Sequence, residues 1–243
     1  YNAGNWEGAL LTDLILPPSL KEVGFGCFKD SGVETVVFDC KSKVNDKDVL
    51  VEENYTAWSG TSGCQFWNCK KLKKVTFGDN CKMTTLPRRG FSKASLETII
   101  YPKSNYNDDN LEDFVSTGDT TFEHCTSLTT IDLGNVKTVD NYCFVNCVNI
   151  TNVTWSPYLE KIGEAGFATC RNLRSLPVDN SENLLSSLST FVASSFSNCT
   201  NLGRIGENGK TNIVTLLQES NVTTIGNNAF YGCNYLEGSI DQS

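Results

Sequence analysis

The stretch Phe144-Val145-Asn146-Cys147-Val148-Asn149-Ile150 decides the fold, because the same phrase recurs along the whole chain. Written as F-x-x-C-x-x-[LI], it returns at residues 66–72, 122–128, 167–173, 196–202 and 230–236. Two further copies, at 28–33 and 91–96, are one residue shorter and lack the cysteine. Self-similarity at a period of 20–50 residues is the signature of a repeat architecture. The tightest copies set a base period of 22–23 residues, so longer spacings indicate insertions.

Each phrase is followed by a short apolar alternation, such as Leu128, Ile131 and Leu133. Alternate residues of a strand point to the same side, so these positions predict short strands with a buried face. The same rule places Leu202 and Ile205 inward. A second phrase, P-x-x-L-x-x-[IV]-G-x-x-A-F, precedes several copies, and its glycine is expected to adopt a positive φ in a turn. Helical turns are predicted only at 184–191 and 214–218.

The complete unit, C-x-x-L-x-x-I-x-L-P-x-x-L-x-x-I-G-x-x-A-F, resembles the BspA-like class of leucine-rich repeats, with clear copies at 14–28, 157–176 and 221–236. The resemblance implies a right-handed, β-rich leucine-rich repeat solenoid. Its parallel sheet would form the concave face, and irregular or short 3₁₀ structure the convex face. About nine repeats would form a single domain, 1–243, with degenerate units near 1–17 and near 230–243. Family members are described as adhesins or surface recognition proteins, and nothing in the family implies an enzyme.

The composition favours a globular protein without a membrane-spanning segment. Of 243 residues, 39% are hydrophobic and 20% charged, and the net charge is −8. Nucleic acid is not expected as a partner, because phosphate neutralisation needs clustered Lys and Arg. No apolar run approaches the ~18–20 residues that a bilayer crossing requires. The composition is compatible with a surface or secreted protein, and the family resemblance implies an extracellular or cell-surface location and a protein or glycan partner, possibly host-derived; the oligomeric state stays open.

Eleven cysteines prompt the question of disulfides, metals or redox chemistry. Six share one repeat position, which predicts a structural ladder of small buried side chains rather than a thiol site; these are Cys69, Cys125, Cys147, Cys170, Cys199 and Cys233. Cys27 and Cys143, directly before the repeat phenylalanine, are also predicted to be structural. A disulfide, if present, is expected among Cys40, Cys64 and Cys81. Neither a cofactor nor a metal is predicted.

No catalytic residue is predicted either. His124 is the only histidine, and its neighbour Cys125 is expected to point away from it on an extended turn. The acidic loop at 108–113 lacks the spacing of an EF-hand, so a solvated loop is favoured over a Ca²⁺ site. Phosphate-binding glycine motifs are absent from the sequence. A carbohydrate-active enzyme hidden in the insertions remains the least favoured alternative.

The outward-facing strand residues form the first candidate binding surface, because solenoids commonly bind through extended concave faces. They are Thr35, Lys74, Thr76, Thr98, Thr130, Asp132, Asn152, Thr154, Ser175 and Arg204, with Val37 and Ile100 among them. Tyr55 and Trp58, in the longest insertion, form the second candidate. These residues predict a non-catalytic recognition or adhesion module. A plain solvated sheet, in a structural spacer without its own ligand, is the main alternative.

Overall fold

Short parallel strands form two three-stranded sheets, which lie side by side where Glu97 N donates to Lys73 O at 3.4 Å; together we call them the main sheet. The computed structural model describes residues 11–20, 23–39, 41–44, 47–50, 63–78, 83, 85–101 and 116–238, and of 41–50 the backbone alone. Strands β1 (Asp13–Leu16), β2 (Thr35–Phe38) and β5 (Lys74–Phe77) pair in parallel. So do β6 (Thr98–Ile100), β7 (Thr130–Asp132) and β9 (Asn152–Thr154). The apolar alternations that follow the repeat phrases predict these strands; those at 173–178 and 202–205 form no strand of the main sheet.

A hairpin lies within the first insertion. Strands β3 (Lys41–Val44) and β4 (Lys47–Leu50) pair antiparallel, which the repeat pattern did not indicate.

The second half of each unit forms another, narrower parallel ladder. It contains β8 (Thr138–Val139), β10 (Lys161–Ile162), β11 (Thr190–Phe191) and β13 (Thr224–Ile225). Isolated bridges from Thr85 to Ser116 and from Ser116 to Thr138 extend it toward the first units. The resemblance implied mostly irregular structure here. The P-x-x-L-x-x-[IV]-G phrase instead crosses each coil in an extended form, long enough for two-residue strands.

Between the two ladders the chain makes a tight turn around each repeat phenylalanine. Successive turns are joined by backbone hydrogen bonds, for example from Phe122 N to Cys143 O (3.0 Å) and from Phe144 N to Gly166 O (2.8 Å). Positive φ recurs two residues before and two residues after the phenylalanine, as at Tyr142 (φ 56°) and Asn146 (φ 60°). Positive φ is the left-handed backbone conformation that such tight turns use. Asn, Asp and Gly adopt it most easily.

The prediction that the glycine after Ile has a positive φ is wrong. Gly163 and Gly226 are absent from the residues with positive φ, whereas a Cβ at Gly226 would lie 2.4 Å from Ala193 N. At Gly163 it would lie 2.8 Å from the carbonyl carbon of Asp140. These glycines are needed because the backbone of the neighbouring unit approaches too closely for a side chain.

A column of phenylalanine rings runs through the core. Phe144 stacks on Phe122 at 5.4 Å between ring centroids and on Phe167 at 5.0 Å. The column continues through every repeat phenylalanine from Phe28 to Phe230 with spacings of 5.0–5.9 Å. Offset and parallel stacking of this kind stabilises beyond the burial of area alone. The rings fix the spacing of successive coils.

The regular pattern changes after Leu202. Ile205 is 62% exposed, so its predicted inward placement is wrong. Its backbone bonds antiparallel to Gly209, which closes a small loop and carries the side chain outward. Strand β12 (Thr211–Asn212) then pairs with β14 (Leu236–Glu237).

Of the two predicted helical segments, one is confirmed. The segment at 214–218 lies within helix α1 (Ile213–Gln218), capped by the Asn212 side chain. The prediction of a helical turn at 184–191 is wrong. Leu184 forms an antiparallel bridge with Val178, and the last two residues of the segment are strand β11. Within the described residues, no helix has the length and apolar character to cross a membrane.

Candidate functional site

The outward side chains of the two adjacent sheets form the surface that we call the strand face. It contains eight of the predicted residues: Thr35, Lys74, Thr76, Thr98, Thr130, Asp132, Asn152 and Thr154. Strand register aligns them in rows. Thr98, Thr130 and Asn152 are direct neighbours in one row, and Ile100, Asp132 and Thr154 in the next. Parallel strands hold such neighbours about 4.8 Å apart.

The strand face is held rigid from below. The residue between each outward pair is buried, as Ile99, Ile131 and Val153 show. Because side chains alternate along a strand, burial of these residues places their polar neighbours on the outward face of the sheet. Their hydroxyls also interact across strands: Thr98 Oγ1 lies 3.0 Å from Thr130 Oγ1. The result is an ordered array of hydroxyl donors and acceptors.

Charges and apolar side chains interrupt this array. Lys74 provides a cation and Asp132 a carboxylate, whose Oδ1 also accepts a hydrogen bond from Gly134 N at 3.0 Å. Ile15 and Ile100 are more than half exposed. A surface of this composition has groups for polar recognition and for apolar contact.

Two predicted residues lie outside the strand face. Ser175 follows the last described strand of the main sheet, and its Oγ is buried with no hydrogen-bond partner among the described residues. Arg204 donates from Nε to Glu207 O and lies over the Tyr235 ring at 5.0 Å. Its guanidinium is therefore engaged locally. Tyr55 and Trp58, and the acidic loop at 108–113, lie outside the described residues.

The six repeat cysteines form one column, and each thiol has the same partner. Cys147 Sγ donates to Phe122 O at 3.1 Å, and Cys170 Sγ donates to Phe144 O at 3.1 Å. The pattern repeats in all six, at 2.9–3.2 Å from the phenylalanine carbonyl of the preceding unit: Cys69, Cys125, Cys147, Cys170, Cys199 and Cys233. That oxygen already accepts a backbone N–H of its own turn. The thiol therefore donates to the second lone pair of that carbonyl oxygen.

Burial makes these thiols unreactive. Loss of hydration raises the pKa of the Cys125 thiol and of the Cys233 thiol to about 12, and the pKa of Cys147 also lies well above its usual value. Reactive cysteines need the reverse, an exposed sulfur with a lowered pKa. The column geometry is that of a structural hydrogen-bond ladder.

Two units replace the column cysteine. Ser31 is buried and its Oγ lies 3.5 Å from Cys69 Sγ, so a hydroxyl stands where other units have a thiol. Ala94 is equally buried and carries no donor. The carbonyl of Phe66 thus lacks the thiol bond that its counterparts accept. Comparing this unit with the others therefore shows how much the thiol hydrogen bond contributes to stability.

The other described cysteines are free thiols. Cys143 is buried, whereas Cys27 and Cys64 are partly buried. Of the three candidates for a disulfide, Cys40 and Cys81 lie outside the described residues, so the pairing stays untested. Within the described ranges, no three His, Cys, Asp or Glu side chains come together as a metal site requires.

His124 occupies one of the left-handed turn positions, with φ 58°. Its Nε2 lies 3.4 Å from Asn146 Nδ2 and 3.8 Å from a Glu123 carboxylate oxygen. Cys125 Sγ instead donates inward to Phe91 O. Histidine and thiol therefore face opposite ways, and no nucleophile pair is formed. Histidine belongs to the residues enriched at positive φ, which accounts for its place here.

A feature that sequence patterns missed lies one residue after Phe66. The Trp67 ring has the Lys29 ammonium 4.6 Å from its centroid and the Lys93 ammonium at 5.0 Å. These lysines belong to the preceding and the following unit. The Lys-rich run from Lys70 to Lys74 marks this part of the sequence as basic. Only the stacking of units, however, brings Lys29 and Lys93 to the Trp67 ring.

A shallow cleft of about 340 Å³ lies between an insertion and the segment after α1. Its lining includes two carboxylates, Asp179 and Glu219. Asp179 Oδ1 already accepts hydrogen bonds from the backbone of Ser181 and Asn183. That carboxylate holds its own loop in place.

Comparisons with known proteins identify the family of the chain. No curated protein matches the chain. Among solved structures, a leucine-rich repeat protein from Eubacterium ventriosum is 18% identical, covering 96% of this chain and 68% of its own, with a TM-score of 0.48. A leucine-rich cell surface protein from Faecalibacterium prausnitzii is 16% identical, covering 94% and 78%, with a TM-score of 0.35. The model of the BspA type leucine rich repeat region matches six copies, at residues 61–115 and 111–214. With more than half of the sequence matched and the units stacked as parallel coils, the chain belongs to the BspA-type leucine-rich repeat family.

Proposed function

We propose that this chain is a non-catalytic recognition module, displayed outside the cell or on its surface, that binds a protein or glycan through the strand face. The observation that carries the proposal is the pair of aligned rows on β6, β7 and β9, Thr98–Thr130–Asn152 and Ile100–Asp132–Thr154. They present hydroxyl, amide, carboxylate and apolar groups on a fixed lattice. Rigid, pre-ordered surfaces lose little conformational entropy on binding.

The family supports the same function. A similar structure is described as a leucine-rich cell surface protein, and another as a pneumococcal vaccine antigen. Solenoid repeats in general use their extended sheet surface for partners. The repeated phenylalanines and cysteines are buried in core packing and hydrogen bonds. The side chains available for recognition are therefore those that differ from unit to unit. The insertion that holds Tyr55 and Trp58 is a second, separate candidate for partner binding.

The test is an array of glycans and matrix proteins probed with the wild-type chain and three variants. The first variant, Asp132→Ala/Asn152→Ala/Thr154→Ala, alters the strand face. Its matched control, Thr138→Ala/Thr190→Ala/Thr224→Ala, changes outward residues of the second ladder. A Trp58→Ala variant examines the insertion.

We expect the wild type to bind at least one array component and the strand-face variant to lose that binding by about tenfold or more, equivalent to about 1.4 kcal/mol. The second-ladder control keeps it. Failure of the wild type to bind any component contradicts the proposal and favours a structural spacer. Equal loss in the strand-face variant and its control also contradicts it.

A further inference from the structure

The positive charge of this acidic protein is concentrated in two repeat units. Between Gly63 and Glu97 the sequence holds eight Lys and Arg but only two Asp and Glu, although the whole chain carries a net charge of −8. Five of the cations in and beside this segment lie in the turns of three successive units, those of Phe28, Phe66 and Phe91. We call them the basic patch: Lys29, Lys70, Arg88, Arg89 and Lys93.

Trp67 fixes the positions of two of these charges. Its ring lies between the ammonium groups of Lys29 and Lys93, at 4.6 Å and 5.0 Å from the centroid. Cation–π contacts of this kind contribute about 0.5–1 kcal/mol each at exposed sites. Because the lysines come from the units on either side, the ring links cations of the preceding and the following unit. Their side chains are ordered before any ligand arrives.

The remaining cations adjoin this clamp. Lys70 Nζ donates to Lys93 O at 3.0 Å. On the other side, Cys64 N donates to Arg88 O at 3.0 Å. The field of Arg89, Lys29 and Arg88 lowers the pKa of the Cys64 thiol against the larger rise that burial causes. Three cations from the two flanking units, Lys29 on one side and Arg88 and Arg89 on the other, thus act on one sulfur atom, which places them near one another.

Few carboxylates neutralise this surface. Asp30 lies 3.9 Å from Lys29 Nζ and accepts from Asn68 Nδ2, and Glu97 is paired with Lys73 at 2.7 Å. Among the described residues, no Asp or Glu lies within ion-pair distance of Lys70, Arg88, Arg89 or Lys93. Like charges held this close repel one another. An external anion relieves that repulsion.

We propose that the basic patch binds an acidic linear glycan, a polysaccharide that carries sulfate or carboxylate groups along its chain. The cations extend over three stacked units whose phenylalanine rings lie 5.1 Å and 5.2 Å apart. A line of charges with this spread fits a polymer with repeated anionic groups better than a single small anion. The patch lies on the turn edge, so this site is separate from the strand face.

Two other polyanions fit less well. Single-stranded nucleic acid gains much of its affinity from bases stacked on aromatic rings. Here a lysine occupies the space on each side of the Trp67 ring. A folded protein partner needs a desolvated apolar centre. The centre of this patch is the same tryptophan, flanked by charge.

Binding to immobilised heparin at increasing salt tests the proposal, with dextran, single-stranded DNA and polyglutamate as further probes. The patch variant is Lys70→Gln/Arg89→Gln/Lys93→Gln. Its control, Lys161→Gln/Arg171→Gln/Lys210→Gln, removes the same charge from exposed positions elsewhere. Circular dichroism and thermal unfolding verify that each variant folds.

We expect the wild type to bind heparin with an affinity that falls as salt rises, and to ignore dextran. The patch variant weakens binding by at least about tenfold and lowers the slope of log K against log salt by about 2, because three ionic contacts are lost. The control triple and the strand-face variant behave like the wild type. Absence of heparin binding at low salt, equal loss in both triples, or tighter binding of DNA or polyglutamate than of heparin would each overturn the proposal.

Discussion

The turn column and the strand face of this solenoid follow opposite rules. In the turn column, the same residues recur and are buried: phenylalanines stack at 5.0–5.9 Å and thiols donate to the preceding carbonyl. On the strand face, buried Ile131 and Val153 alternate with half-buried or exposed residues that differ between units. Repetition therefore marks stability, and departure from repetition marks the surface available for recognition. Substitutions in the two regions should separate these properties.

The largest expected effect comes from opening the ring column. Phe144→Ala removes a fully buried ring between Phe122 and Phe167 and should lower the free energy of unfolding by about 3–5 kcal/mol. The strand-face control, Ile100→Ala, should change it by less than about 0.5 kcal/mol, since Ile100 is 57% exposed. Denaturant unfolding measures both. Similar costs in the two variants would remove the distinction between column and face.

Alkaline pH should weaken the column selectively. The pKa of Cys125 rises from 9.0 to about 12 on burial, so its contribution to stability is complete below pH 9 and is lost as the pH rises toward 12. Between pH 9 and 11 the wild type should lose about 2 kcal/mol more than Cys125→Ala. Urea unfolding across this range is the measurement. Thr154→Ala should follow the wild type, and an identical slope in Cys125→Ala would contradict the buried thiol.

A pair of glycines at the same repeat position should respond differently. A Cβ at Gly226 meets Ala193 N at 2.4 Å, whereas at Gly24 no atom of the described residues lies within 4 Å. Gly226→Ala should cost about 1–3 kcal/mol from overpacking. Gly24→Ala should be neutral or stabilise by up to about 1 kcal/mol, because it restricts the unfolded chain. If thermal unfolding shows that Gly24→Ala is more destabilising than Gly226→Ala, close backbone approach does not explain the glycine at this repeat position.

The smallest effect concerns a single thiol. Ala94→Cys should gain up to about 1 kcal/mol by donating to Phe66 O, and Cys147→Ala should lose about that amount at the equivalent place. Denaturant unfolding of both variants, with Thr154→Ala as the strand-face control, measures the difference. If Cys147→Ala is as stable as the wild type, the thiol hydrogen bond contributes nothing and the column is held by phenylalanine alone.

How far the sequence predicts this molecule depends on whether a feature repeats. The cysteine ladder and the inward residues were accessible because Cys147 and Val153 have counterparts in other units. The left-handed turns were not, because Tyr142 and Thr169 give no sign of the positive φ that unit stacking imposes on them.

The surface features depend on contacts that sequence spacing does not encode. Ser175 lies beyond the last strand of the main sheet, and Arg204 is engaged by a local loop. The Lys29–Trp67–Lys93 clamp joins three units across insertions of different lengths. The candidate strand face was thus largely predictable from alternation, whereas the basic patch is recognisable only once the units are stacked in the folded chain.

Native-state alkylation tests the central claim most directly. The folded chain is treated with iodoacetamide near pH 8, with and without denaturant, and each cysteine is followed by mass spectrometry. We predict that Cys69, Cys125, Cys147, Cys170, Cys199 and Cys233 stay unmodified until the chain unfolds, while half-buried Cys64 reacts in the native state. Modification of column cysteines at the rate of Cys64 without unfolding, or a disulfide between two of them, would contradict the account of the repeat as scaffold.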